Sequence, residues 1–115
     1  MSGKQIAAGL ALFIVSVVPA QAQSLADGPQ LAKDNICMGC HQVDRVRVGP
    51  PFAAVADRYK AGDEQMVTYL ANSIRKGGRG RWGAVPMPAQ PQVTEEEALA
   101  MAGWILSLAV PDAAK

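Results

Sequence analysis

Cys37-Met38-Gly39-Cys40-His41 is the stretch on which the reading of this chain turns. Two thiols three residues apart on a helical turn can each add to a vinyl group of one porphyrin, and the next residue then brings an imidazole beside the iron. That pattern is the attachment site of c-type haem. A redox dithiol of the thioredoxin kind wants a βαβ setting, which the surrounding helical pattern denies. A structural zinc site takes about four Cys or His ligands, and the chain holds three in total, two cysteines and one histidine. A plain disulfide is the remaining alternative.

Because His41 is the only histidine, the other axial ligand of such an iron cannot be a second imidazole. Met38 is too near His41 to reach the far side of the porphyrin. Met66 and Met101 fall on apolar positions of predicted helices, where methionine usually fills core. Met87 stands apart, in a loop, as Pro86-Met87-Pro88. Its two proline neighbours restrict the backbone, so the thioether is presented at little entropic cost. His41 and Met87 are the expected metal ligands. A soft thioether favours reduced iron, and two filled axial positions leave no open site for substrate. The expectation is an electron carrier and not an enzyme.

Outward from this motif, the N-terminus reads as an export signal. Lys4 precedes an apolar run from Ile6 to Val18 that ends in Pro19-Ala20-Gln21-Ala22, so residues 1–22 are expected to be a signal peptide cut after Ala22, leaving residues 23–115 as one domain. The run is shorter than the roughly 20 residues a membrane-spanning helix needs. Lys4 is the only charged residue of that leader, and its removal leaves acids and bases equal. Net charge therefore gives no argument for nucleic-acid binding. Export also makes the periplasm the expected location, and a small domain there gains from a covalent staple.

Four helices are predicted. Asp27, Pro29 and Gln30 mark the start of one over Gly28 to Asn35; Pro50-Pro51 delays the next to Phe52–Tyr59. Met66, Leu70 and Ile74 lie at four-residue spacing in a third from Asp63 to Lys76, which Gly77-Gly78 ends. Thr94 with Glu97 forms a capping box for the last, whose nearly all-apolar body, Ala98 to Ala109, must be buried on more than one side. Gly77, Gly78, Gly80, Gly83, Pro86, Pro88 and Pro91 mark the span between the third and fourth helices as a long loop. No alternating strand pattern, repeat or linker is present.

These residues resemble those of a known family, the small bacterial class I cytochromes c of the c-551 type. The resemblance covers nearly all of residues 23–115. It rests on Cys37-Met38-Gly39-Cys40-His41, Val48-Gly49-Pro50, Trp82-Gly83-Ala84-Val85-Pro86-Met87-Pro88 and a terminal helix with Trp104. It implies an all-α class I fold of about four short helices wrapped around one haem c, bound through Cys37 and Cys40. It also implies that the Pro50 carbonyl accepts the Nδ1 proton of His41, that Trp82 hydrogen-bonds a haem propionate, and that Trp104 closes the contact between first and last helices. Two positions depart from the family: Ser73 stands where relatives carry a propionate-binding arginine, and Gln90 where they carry an asparagine near the methionine sulfur. Arg75, Arg79 and Arg81 are candidates to replace the missing cation.

Arg75, Lys76, Arg79 and Arg81 would form a basic rim before the ligand loop, suited to speeding encounter with an acidic partner. The function expected is a diffusible periplasmic monohaem carrier between a quinol-oxidising complex and a terminal oxidase or nitrite reductase. The alternative is a dedicated haem subunit of a periplasmic dehydrogenase. A sensor in which Met87 dissociates is a third reading.

Overall fold

The computed structural model describes residue 3 and residues 13–19, 23–60 and 64–110. Most of the expected signal peptide, including the cut after Ala22, lies outside the described residues. Residues 13–19 form no regular structure, and their large apolar side chains are exposed.

Four α-helices follow in the predicted order: α1 (Gly28–Asp34), α2 (Phe52–Tyr59), α3 (Glu64–Lys76) and α4 (Glu95–Ser107). Among the described residues there is no strand, so the all-α expectation holds. Asp63, expected to open α3, lies outside the described residues. Asp27 does precede α1, but its side chain is turned the other way: Oδ2 accepts from the backbone N–H and the hydroxyl of Ser24, capping a 3-10 turn over Leu25–Asp27. Gln30 likewise reaches forward to Asp34 and not back to a cap. Asn35 ends α1, its side-chain amide donating to the Leu31 carbonyl. At α4 the capping box is as expected, with Thr94 and Glu97 exchanging backbone and side-chain bonds of 2.9 and 3.2 Å.

α4 packs against α1, α2 and α3. Its small residues make this possible. Ala98, Ala100, Ala102 and Gly103 are buried around Met101 and Ile105, so neighbours approach its backbone from several sides. α1 and the 3-10 turn before it cross α4 closely: a β-carbon on Gly28 would collide with the Trp104 side chain, and one on Gly103 with Leu25 of the turn. Leu31 and Ala32 of α1, Phe52 and Val55 of α2, and Leu70, Ala71 and Ile74 of α3 complete the core. Met66, given a core position from its spacing, is only half-buried and lies outside this cluster.

Candidate functional site

His41 is fixed from three directions. Its Nδ1 lies 2.8 Å from the Pro50 carbonyl oxygen. A carbonyl can only accept, so Nδ1 carries the proton and Nε2 of the neutral ring keeps a free lone pair. Phe52 stacks on the imidazole, centroids 4.9 Å apart and planes 17° from parallel. Gly49 closes the remaining approach: a β-carbon there would stand 2.5 Å from Cε1 and 2.9 Å from Nδ1. The chain is bent into this arrangement by the Cys40 carbonyl, which accepts from the N–H groups of both Val48 and Gly49, and by Phe52 N–H donating to Gln42. Phe52 in turn meets the edge of Trp104, tying the imidazole to α4.

Cys37 and Cys40 stand at the two ends of a single helical turn, Cys40 and His41 N–H both donating to the Cys37 carbonyl. Their sulfurs are not joined to each other. Burial pushes the Cys37 thiol above its ordinary value, outweighing a backbone hydrogen bond that acts the other way. A redox dithiol needs the opposite shift. Ile36, immediately before this turn, adopts φ 61° and ψ 20°, a left-handed conformation that a β-branched side chain rarely takes.

Met87 comes from the long loop between α3 and α4, and that loop is cinched. Gly78 and Met87 exchange backbone hydrogen bonds of 2.8 and 3.0 Å in one antiparallel bridge. Gln90 N–H donates to the Arg75 carbonyl at the end of α3. Gly77, at φ 71°, makes the turn out of the helix where a β-carbon would strike the Met87 carbonyl and the Ala89 nitrogen. The Gln90 side chain bonds Pro88 and Gln92.

All six expected cofactor-binding residues, Cys37, Cys40, His41, Pro50, Trp82 and Met87, line one cleft, part of it open to solvent. Val55, Leu70, Ile74 and Ile105 supply an apolar wall. Met38 and Met66 do not reach it, and Met101, which does, is almost fully buried in the core. Trp82 is 41% exposed and stands edge-on to Tyr59, with the Arg58 guanidinium 4.6 Å above its ring. Of the expected basic rim, Arg79 and Arg81 line the cleft, whereas Arg75 and Lys76 do not. Arg58, absent from that expectation, joins the group from α2. A large flat apolar group carrying a metal fits this donor set: two free thiols, an imidazole with an available Nε2 and a thioether on one apolar cleft.

The family model for cytochrome c matches residues 25–109. The chain belongs to the cytochrome c family. This cytochrome is 53% identical over 79 residues to the cytochrome c-552 of Hydrogenobacter thermophilus, covering 69% of the chain and 79% of that relative. It is 41% identical over 101 residues to the cytochrome c-552 of Nitrosomonas europaea, covering 88% and 96%. The crystal structure of the latter superposes with a TM-score of 0.67 at 44% identity, covering 70% of this cytochrome and 98% of that chain. The fold is therefore that of a small class I cytochrome c, and haem c is attached through Cys37 and Cys40. Among the described residues no helix is long and apolar enough to cross a membrane.

Proposed function

We propose that this monohaem electron carrier works in the periplasm with His41 and Met87 as the axial ligands of its iron. Haem c, when bound, supplies an iron that alternates between Fe(II) and Fe(III) one electron at a time. The observation that carries the ligand reading is the 2.8 Å contact between His41 Nδ1 and the Pro50 carbonyl. By accepting a hydrogen bond from Nδ1–H, Pro50 leaves Nε2 as the ligating atom, fixes the ring plane and raises its basicity. Phe52 and Gly49 prevent the ring from turning away. Met87, held by its bridge to Gly78 and flanked by prolines, offers a soft sulfur from a preset backbone, and the apolar wall keeps water from the ligands. Cys37 and Cys40 keep the group in place through repeated oxidation and reduction. Trp82, at the open side of the cleft, holds a propionate.

Export is supported by the Lys4 to Ala22 pattern. The partners that suit the protein are periplasmic redox proteins, a quinol-oxidising complex as donor and a terminal oxidase or nitrite reductase as acceptor, met by a freely diffusing monomer.

Absorption spectroscopy tests the ligand set. The exported protein should show a c-type α-band on reduction and, when oxidised, the weak long-wavelength band of methionine on ferric iron. Met87→Ala should lose that band and lower the midpoint potential while haem stays covalently bound. An unchanged band and potential in Met87→Ala would overturn the assignment.

A further inference from the structure

Charge at the cleft is one-sided. Arg79 and Arg81 line it, and among the described residues no Asp or Glu does. One of these cations is built in. Arg81 Nη1 donates to the Ser73 hydroxyl at 2.7 Å, and that hydroxyl spends its own proton on the Tyr69 carbonyl at 2.9 Å. Ser73 therefore accepts from the guanidinium in a fixed orientation and has nothing left to donate. The same guanidinium stands 5.3 Å from the centre of the Tyr69 ring. On its other side lies Gly78, where even a β-carbon would come within 2.6 Å of Nη2. The backbone is held too, since the Arg81 carbonyl accepts from Arg58 Nη1 at 2.6 Å. Arg58 lies over Trp82, the next residue in the chain.

Arg81 has no carboxylate partner among the described residues. Among the described residues, Nη1 is the one guanidinium nitrogen of Arg81 with a hydrogen bond. An arginine oriented by a hydroxyl, an aromatic face and a glycine, yet left with free donors at the rim of an apolar cleft, is arranged to meet an anion from outside the polypeptide. Haem c brings two carboxylates of its own. We infer that Arg81 binds one of these propionates, with Ser73 and Tyr69 as its positioning residues, while Arg79, to which the structure gives no such support, remains a general surface charge. The inference rests on the cleft being the haem site and deepens that reading. The cation is supplied by the loop and not by α3, so the segment that carries Met87 also carries the countercharge of the haem edge.

The test is the midpoint potential of the haem-loaded protein and its Arg81→Gln, Arg81→Lys, Arg79→Gln and Ser73→Ala variants, measured beside thermal stability. A cation at the haem edge favours reduced iron. Arg81→Gln should lower the reduced-to-oxidised ratio at fixed applied potential by roughly three- to tenfold, the effect of one charge at the rim of a low-dielectric cleft. Arg79→Gln should change it less than about twofold, because no hydroxyl or ring orients that guanidinium toward the cleft and a freely moving surface charge is screened. Arg81→Lys should recover most of the potential, and Ser73→Ala should lower it less than Arg81→Gln does. Equal shifts in Arg81→Gln and Arg79→Gln, or none in Arg81→Gln, would overturn the inference. Should Arg81→Gln fail to retain haem, Ser73→Ala decides: a lowered potential at unchanged ligand spectrum supports the inference, and an unmoved potential overturns it. The long-wavelength methionine band is recorded throughout. Its absence from the unsubstituted protein would sink the His41/Met87 assignment alone, since the Arg81 comparison is between proteins with the same iron ligands.

Discussion

The two expected iron ligands are held by different means. His41 lies between a stacked ring and a glycine backbone, with its far nitrogen bonded to a carbonyl nine residues on. Met87 sits on a largely exposed loop held by one backbone bridge and one bond to the end of α3. On the histidine side, packing allows no adjustment. On the methionine side the backbone is pinned at a few points and the surrounding side chains are free to accommodate. For the proposed His41/Met87 ligand pair this asymmetry has a use, because a rigid imidazole would fix the frame against which a more yielding thioether could find its distance.

The sharpest way to break this contrast is Gly49→Ala. The new methyl has nowhere to go but into the His41 ring, and overpacking of this kind costs about 3 kcal/mol. Denaturant unfolding should show that loss together with a perturbed ligand spectrum. Full stability with an unaltered spectrum would mean that the histidine wall yields after all. Gly77→Ala challenges the other side. A positive φ and a clash with the Met87 carbonyl should together cost about 2 kcal/mol. Here the loop can shift as a piece, so the methionine band should weaken while the signature of the histidine-bound ferrous protein stays; equal damage to both would erase the distinction. The smallest effect is a gain. Ile36 is 79% exposed and left-handed, so Ile36→Gly relieves strain without removing core and should stabilise the protein by about 1 kcal/mol in the same unfolding assay.

Much of this was legible beforehand because the helices advertise themselves locally. Phe52 follows a proline pair, Thr94 and Glu97 are spaced as a capping box, and Leu70 and Ile74 repeat at helical spacing; each signal lies within a turn or two of the element it marks. The site motif is equally local at Cys37, Cys40 and His41. What the sequence concealed is pairing between distant residues. The Gly78 to Met87 bridge joins single residues with no alternating pattern around them, and Arg58 reaches Trp82 and Arg81 from a separate helix. Asp27 misled because Ser24, three residues before it, supplies two donors, an N–H and a hydroxyl, that occupy one of its carboxylate oxygens. Nothing in a β-branched isoleucine announces a left-handed backbone, so Ile36 was visible only in three dimensions.

The packing of α4 against all three other helices also has a temporal side. α4 follows the other three helices in the chain, and the crossing of Gly28 beneath Trp104 cannot form until it has been made. Among the described helices α1, α2 and α3 have little contact with one another without it, so a chain that lacks it remains open. Cys37 and Cys40 therefore stay within reach of outside chemistry until α4 has been made, and the core closes over the site only then.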